Sequence, residues 1–486
     1  MRHPQFYLRF SPLLVVTGLI LLSMALSFDG LYGQDAHEYL RLSRVYFDFL
    51  KGKISVLGHD AHSELAGGYP IAGALLRFLL PDSGLSLLVV SWLSAGLAVW
   101  MFERLLRLWA PGTSPKSRWT FTGLVLVASP YFIRAGITVM SDALGLFFLL
   151  GALYWGLEVL ESGRARSAVW AAFFAGVAVI TRLTAAAFLL PFAMAIGWHL
   201  LQRRQFGWAI AAVLAGVVAL LPHFYFGVME NLTQNVFDHA TLRDWSASSF
   251  FKRYFSNSNG AYQYFLPNGL YIFAPLAHPG FCLPVSLLFL MAKKTDFHHP
   301  SQRVLLACLA IFLFFIGGLP CQNMRYLLPA YIVLLLFLFP AWDRVFSYGF
   351  YFFKKLTWTI FSLVFLVQVV GTIKILVHPV SRNRLEKSLA SGIRQVATSG
   401  DTVFTFDMDG AMRSYLPDFQ IKNLWERRYE DFPVGSFILF NEGGLRAQWQ
   451  GQNPMLNWDF ANEKYQVREM WRQTNGWALY KIEGSK

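Results

Sequence analysis

Two carboxylates stand three residues apart near the start of the chain, in the segment Gly33-Gln34-Asp35-Ala36-His37-Glu38-Tyr39-Leu40. This segment begins a few residues after the first long apolar run ends at Phe28. On a helix, Asp35 and Glu38 share a face, because residues at i and i+3 are neighbours there. A carboxylate at a bilayer surface is costly, which favours a functional role. We therefore predict that Asp35 is a general base for chemistry on a lipid-borne substrate.

A near-repeat of this segment follows in the same predicted loop, His59-Asp60-Ala61-His62-Ser63-Glu64-Leu65. Imidazole and carboxylate groups bind divalent metals, but no other cluster in the sequence completes such a site. The same pattern fits solvated residues that cap interfacial helices, and His37 fits that interpretation as well. A metal is therefore possible but not required. The candidate metal ligands are His59, Asp60, His62 and Glu64, and the candidates that support Asp35 here are Glu38, Tyr39, Asp60 and His62.

Three arginines fall at short loops that we predict on the same side of the membrane as Asp35. Arg134 lies in the loop 129–142, Arg182 joins two apolar runs, and Arg325 precedes the tenth run. One arginine at a membrane boundary can extend to the lipid headgroups. Three on one side, beside a carboxylate, instead predict a site for an anionic group. Guanidinium groups suit phosphate, because they donate paired hydrogen bonds to its oxygens.

Two further segments have more than one interpretation. Asp142 follows Ser141 at the start of the fourth apolar run, where a serine caps a helix and a carboxylate is favoured by the helix dipole. Capping and a role in the site both remain open for Asp142. The segment Gly67-Gly68-Tyr69-Pro70 is a turn signal that suits a tight return toward the membrane, and it makes Tyr69 another supporting candidate.

The composition indicates what must position these residues. The chain has 486 residues, of which 55% are hydrophobic and 17% aromatic, and its mean hydropathy is +0.41. These values predict a polytopic α-helical membrane protein. The net charge of +13 is explained by basic cytoplasmic loops, so we do not expect a nucleic-acid partner. The three cysteines have no metal-ligand spacing and are interpreted as small core residues.

Eleven apolar runs are long enough to predict transmembrane helices, with the N-terminus inside. Two of these runs, 168–181 and 185–201, are also compatible with one single span. Long outer loops are predicted at about 29–84 and 229–267. The other runs are 11–28, 85–102, 119–133, 142–160, 208–228, 268–291, 304–319, 327–342 and 356–376.

The last part of the chain has a different character. Residues 377–486 mix charges with short β-like runs, such as 402–406 and 436–440, and with Gly-containing turns. We predict two domains: a transmembrane module at 1–376 and a soluble extracytoplasmic α/β domain at 377–486.

At these residues the chain resembles the GT-C superfamily of integral-membrane glycosyltransferases. It looks closest to the protein-O-mannosyltransferase and aminoarabinose-transferase type, family 39 and its relatives. The matching motifs are Asp35 with Glu38-Tyr39-Leu40, Ser141-Asp142, and Arg325-Tyr326-Leu327-Leu328-Pro329. Gly68-Tyr69-Pro70 is a degraded match, since the second proline of that motif is missing. The resemblance covers roughly residues 1–376.

The resemblance implies a polyprenyl-phosphate-linked hexose or pentose donor and an acceptor hydroxyl on a protein, lipid or glycan. Asp35 would take the proton of that hydroxyl as its oxygen attacks the anomeric carbon, with inversion. Arg325, helped by Arg182 or Arg134, would stabilise the leaving phosphate, and Tyr326 is a supporting residue. It further implies a multi-pass protein of a bacterial inner or cytoplasmic membrane that works on the extracytoplasmic side. No Gly-rich phosphate loop follows a strand, so no nucleotide site is expected.

Two other classes of protein remain open. A transporter or flippase for a lipid-linked glycan would also use outer arginines, but it should show paired repeats and charges near the bilayer midplane. In this sequence the charges cluster at the ends of the apolar runs. A non-catalytic assembly subunit would not need acidic and basic groups on the same side.

Overall fold

The structure is a computed structural model. It describes residues 11–55, 57, 65–228, 244–257, 260–294, 299, 301–320, 322–348, 354–425, 427–449 and 453–486. The chain divides into two compact units. The first contains Met1–Gly30, Leu42–Phe251 and Leu266–His378, and the second contains Leu31–Arg41, Lys252–Phe265 and Pro379–Lys486. The second unit thus includes two segments from the predicted outer loops as well as the C-terminal part of the chain.

The first unit is helical, and the chain is an integral multi-pass membrane protein. Among the described residues, six helices are long and apolar enough to cross a membrane. The bent pair Pro115–Val127 and Pro130–Ile137, with an angle of 74° between its halves, can form a seventh span. Three shorter apolar helices are Pro12–Ala25, Ser167–Thr181 and Gln302–Gly317. The six long helices are Ser83–Trp109, Asp142–Ser162, Ala185–Gln202, Phe206–Phe226, Met324–Ser347 and Ser362–Val396.

The apolar runs 168–181 and 185–201 form two separate helices, Ser167–Thr181 and Ala185–Gln202, and not one single span. By contrast, the predicted span 268–291 is not one helix. A 3-10 turn (Asn268–Phe273), a four-residue helix (Ala274–Ala277) and the helix Pro284–Met291 replace it. Prolines break this run because they lack a backbone N–H. The count of eleven spans stays a prediction.

Two predicted outer loops contain helices of their own. The loop 129–142 includes the helix Pro130–Ile137, so its prediction as a loop was wrong. The loop 29–84 contains the helices Gly33–Leu50 and Gly68–Leu76. Gly30, three residues before the first of these begins, has a φ of +83°. This left-handed backbone conformation favours glycine, which has no Cβ to strain it.

The second unit contains a two-stranded hairpin and a five-stranded mixed sheet. The hairpin pairs β1 (Tyr254–Asn257) with β2 (Gly260–Gln263). The sheet has the order β4-β3-β5-β7-β6, in which β4-β3-β5 is parallel and β5-β7-β6 is antiparallel. Its strands are β3 (Thr402–Thr405), β4 (Gln420–Asn423), β5 (Phe437–Asn441), β6 (Tyr465–Arg472) and β7 (Trp477–Ser485).

Both faces of this sheet are covered, because side chains alternate along each strand. Phe404 and Ile438 belong to one apolar cluster. Val403 and Phe437 belong to the other, together with Ile393 from the C-terminal end of the helix Lys354–Val396. The observed strands overlap the β-like runs 402–406 and 436–440. That this unit forms a separate extracytoplasmic domain remains a prediction.

Candidate active site

A cluster of charged side chains lies among the helices of the first unit. It brings together Asp142, Arg182 and Arg325. Asp142 is in the first turn of the helix Asp142–Ser162. Arg182 follows directly after Ser167–Thr181, where its extended backbone ends that helix. Arg325 lies in the 3-10 turn Met324–Leu327, which leads into the helix Leu328–Tyr348.

The carboxylate of Asp142 pairs with both arginines. Nη1 of Arg182 contacts Oδ1, and Nη1 of Arg325 lies 3.3 Å from Oδ2. The three side chains are 5%, 15% and 11% exposed for Asp142, Arg182 and Arg325 respectively. Asp142 therefore does more than stabilise a helix end, and the neighbouring Ser141 makes no capping side-chain hydrogen bond.

Tyr326 completes this cluster. Its ring centroid lies 4.7 Å from the guanidinium carbon of Arg182 and 5.9 Å from that of Arg325. An aromatic face attracts a guanidinium group, and more strongly where water is excluded. Nη1 of Arg325 also contacts the sulfur of Met140. The ring and the carboxylate together hold the two planar cations in fixed orientations.

Two guanidinium groups share one carboxylate in this cluster. Buried charges are stable only when they are paired and hydrogen-bonded. Two guanidinium groups held side by side attract an anionic ligand, and the attraction is strong in a low-dielectric environment. The arrangement suits phosphate in particular, because guanidinium groups donate to its oxygens in pairs.

The Gly67-Gly68-Tyr69-Pro70 segment supports this cluster by packing. The helix Gly68–Leu76 begins within it, where we had predicted a turn. A Cβ on Gly68 would lie 2.9 Å from the backbone nitrogen of Thr181, so the helix approaches the chain directly beside Arg182. Tyr69 is fully buried, and its hydroxyl donates to the carbonyl of Leu87 at 2.8 Å and lies 2.8 Å from Oγ of Ser91. These contacts give Tyr69 a structural function.

Arg134, the third predicted arginine, is half-buried on the helix Pro130–Ile137. Its participation in phosphate binding stays a prediction.

In the second unit, Asp35 lies in the first turn of the helix Gly33–Leu50 and is half-buried. Glu38 lies one turn later and accepts two hydrogen bonds from Arg41, at 2.8 and 2.6 Å. Tyr39 is buried.

His37, between Asp35 and Glu38, is also buried, which contradicts the interpretation of His37 as a solvated capping residue. Its Nε2 lies 3.1 Å from Oε2 of Glu386, which in turn accepts a hydrogen bond from Arg382. Sequence analysis did not identify Glu386 or Arg382. The signal available was the series of polar residues within 381–387, directly after the last apolar run.

Arg382 also binds Asp407, a residue with a left-handed φ of +62° just after β3. Burial raises the pKa of the Asp407 carboxyl above its usual range, and the Arg382 guanidinium beside it partly opposes that shift. Positive φ values are uncommon for residues other than glycine, although Asp adopts them more readily than most.

The proposed metal ligands His59, Asp60, His62 and Glu64 lie outside the described residues. Within the part of the chain that the structure describes, no group of three or more His, Cys, Asp or Glu side chains could hold a metal ion. Cys282 and Cys308 are buried thiols, and Cys321 is outside the described residues.

A sequence model of glycosyltransferase family 87 matches residues 69–319, slightly more than half of the chain. The chain belongs to glycosyltransferase family 87. The matched region of this family 87 protein includes Arg134, Asp142 and Arg182, whereas Asp35 and Arg325 lie outside it. No match is found among proteins with curated descriptions.

Solved structures show the same fold as this family 87 chain. The crystal structure of ArnT from Cupriavidus metallidurans bound to undecaprenyl phosphate aligns with a TM-score of 0.60 and 15% identity. It covers 96% of this chain and 97% of its own. The apo structure of the same protein aligns with a TM-score of 0.61 and 14% identity, over the same shares of both chains. The fold is therefore of the ArnT-like GT-C type, and the predicted GT-C resemblance is confirmed.

Proposed function

We propose that this family 87 glycosyltransferase moves a hexosyl or pentosyl group from a polyprenyl-phosphate-linked donor to an acceptor hydroxyl on the extracytoplasmic side of the membrane. The observation that carries the proposal is the buried cluster of Arg182, Asp142 and Arg325, in which two guanidinium groups meet at one carboxylate. Support also comes from the structure of ArnT bound to undecaprenyl phosphate, which aligns over nearly the whole chain.

In this mechanism the two arginines bind the donor phosphate. As the bond between the anomeric carbon and the phosphate oxygen breaks, its electron pair passes to the phosphate, which gains negative charge. Arg182 and Arg325 stabilise that charge, and Asp142 and Tyr326 fix the guanidinium planes in advance. Preorganised donors of this kind lower the barrier without reorganising during the reaction. A phosphate is already a stable anion, so a strong general acid is not required.

Asp35 acts as the general base. It accepts the proton of the acceptor hydroxyl while that oxygen forms its bond to the anomeric carbon. A single attack inverts the configuration, whereas retention would need a second carboxylate as nucleophile. Glu38, the nearest candidate in sequence, is engaged in a two-point ion pair with Arg41. This pairing supports inversion.

The test is transfer of radiolabelled sugar from polyprenyl-phosphate hexose and pentose donors by membranes that contain wild-type protein, Asp35→Asn or Asp35→Glu. Asp48→Asn is the matched control, because Asp48 lies on the same helix in an exposed pair with Lys53. We expect Asp35→Asn to lower transfer by about 10²-fold or more, as loss of a general base does. Binding of undecaprenyl phosphate, measured by thermal shift, should remain.

Asp48→Asn should transfer sugar at the wild-type rate. Wild-type transfer by Asp35→Asn would remove Asp35 from the proposed role. The anomeric configuration of the product, determined by NMR, tests inversion separately.

A further inference from the structure

We infer that the C-terminal part of the chain is a positioning device for the general base: it holds the first turn of the helix that carries Asp35. This inference deepens the proposed function and rests on it. The contacts all lie within the second unit, between Leu31–Arg41 and Pro379–Lys486. We call the four residues that make them, Asn383, Glu386, Asp409 and Gly410, the anchor residues.

The first pair of anchor residues lies on the helix Lys354–Val396. Nδ2 of Asn383 donates to the backbone carbonyl of Leu31 at 2.8 Å, just before the Asp35 helix begins. Glu386, one turn further along, accepts from Nε2 of His37 at 3.1 Å. The side chains of His37 and Glu386 are each 1% exposed. A hydrogen bond to a carboxylate that is excluded from solvent is stronger than one at the surface, because the local dielectric is low.

The second pair follows strand β3. Nε2 of Gln34 donates to Oδ1 of Asp409 at 2.9 Å. In return, the backbone N–H of Gly410 donates to Oε1 of the same Gln34 amide at 3.1 Å. Both ends of one side-chain amide are therefore fixed, which restricts its rotation as well as its position. Gly410 leaves room for this contact, since a Cβ there would collide with Oε1 of Gln34.

The residues that make these contacts lie on both sides of Asp35 in the sequence. Gln34 precedes it, His37 follows it by two residues, and the carbonyl of Leu31 fixes the entry to the helix. With residues on both sides held, the backbone of the intervening turn has little freedom, so the Cα–Cβ direction of Asp35 is set. Asp35 lies on a different side of the helix from Gln34 and His37, since successive helical residues are rotated by about 100°.

The anchor residue Glu386 is itself held in place. Nε of Arg382 donates to its second carboxylate oxygen at 3.0 Å. The same guanidinium contacts the Asp407 carboxylate at 3.0 Å and donates to the Asp407 carbonyl at 2.7 Å. The imidazole of His37 is further packed against Tyr415, with ring centroids 5.4 Å apart. A network with this many fixed members determines one orientation of the His37 ring.

Such rigidity matters for a general base, because a displacement of about 1 Å at the reacting group costs on the order of 10²-fold in rate. His37 and Glu386 are therefore positioning residues, which act through the helix and not on the substrate. Substituting either residue should lower kcat and leave the KM for the donor unchanged, since Arg182 and Arg325 bind the donor phosphate in the proposed mechanism.

The experiment compares His37→Ala, which removes the contact, with His37→Gln, whose amide N–H can still donate to Glu386. Glu442→Gln is the control, because it breaks an exposed ion pair with Arg446 in the same unit. Two readouts are taken on purified full-length protein: kcat and donor KM in the transfer assay, and deuterium exchange of the amides in 31–41. Gln34→Ala, at an exposed position, repeats the test should His37→Ala fail to fold.

We expect His37→Ala to lower kcat by about tenfold or more with an unchanged donor KM, since the base is displaced. Exchange in 31–41 should become faster. His37→Gln should restore most of both values, and Glu442→Gln should match wild type. Faster exchange with an unchanged kcat would overturn the inference, as would unchanged exchange. An active Asp35→Asn in the same assay would instead contradict the proposed base, and the two failures are thus distinguishable.

Discussion

Nη1 of Arg325 lies 3.3 Å from Oδ2 of Asp142, although 183 positions separate the two residues in the sequence. Both side chains are largely excluded from solvent, and the other carboxylate oxygen contacts Arg182. A buried carboxylate that joins two arginines determines both the stability of this region and the geometry in which the arginines meet a ligand.

Replacing Asp142 by asparagine should therefore affect stability and donor binding together. The change keeps the shape of the side chain but removes the carboxylate charge that the two guanidinium groups share, which costs about 3–5 kcal/mol in the free energy of unfolding. Thermal unfolding in detergent measures the first effect, and the Kd for undecaprenyl phosphate measures the second.

Glu103→Gln is the control for Asp142→Asn, because Glu103 forms another buried ion pair, with Arg118 at 2.8 Å. It should lower stability and leave the lipid Kd unchanged. If both variants weakened lipid binding equally, general destabilisation and not the arginine cluster would explain the effect.

Arg325→Lys should separate charge from geometry. Lysine keeps the positive charge but cannot donate the paired hydrogen bonds of a guanidinium group or present its plane to Tyr326. We expect the KM for the donor to rise by about tenfold, which corresponds to ~1.4 kcal/mol. Arg107→Lys, at an exposed position, should leave the KM unchanged. A wild-type KM for Arg325→Lys would argue against phosphate binding by Arg325.

Gly68→Ala should disturb the chain beside Arg182. The new methyl group would lie 2.9 Å from both the Ile180 carbonyl oxygen and the Thr181 nitrogen, which are backbone atoms and cannot rotate away. We expect a loss of about 1–3 kcal/mol in stability from this overpacking and a higher donor KM.

Gly197→Ala is the matched control for Gly68→Ala, since Gly197 lies in the helix Ala185–Gln202 and has no atom within 4 Å of the added Cβ. Because alanine favours a helix, this control should be neutral or slightly stabilising. Equal behaviour of the two variants in unfolding and kinetic measurements would contradict the packing argument.

Tyr69→Phe tests whether the Tyr69 hydroxyl serves structure or substrate. The substitution leaves the Leu87 carbonyl and the Ser91 hydroxyl without this partner, which should cost about 1–3 kcal/mol. The donor KM should not change. Tyr225→Phe removes a hydroxyl from an exposed residue and should have no effect on stability. A raised KM without a loss of stability would show that Tyr69 contacts the donor.

Much of the fold could be predicted because the relevant patterns are local. An apolar run long enough to cross the bilayer indicates a membrane helix, and the spacing of Asp35 and Glu38 places them on one helical face. The run 268–291 shows the limit: its average hydropathy suits a span, while its prolines interrupt the helix. The helix Pro130–Ile137 was missed because its short length and polar neighbours resemble a loop.

The sequence by itself determined the class of the protein and the residue types of its candidate site. The reason is that hydrophobic patterns, helix caps and turn residues determine local structure through residues only a few positions apart. Only the tertiary structure decided which charges meet. Asp142 joins Arg325 across 183 positions, and His37 joins Glu386 across 349. Each pair forms because helix packing within its own unit brings its two members together away from water, where a charge without a partner is too costly to bury.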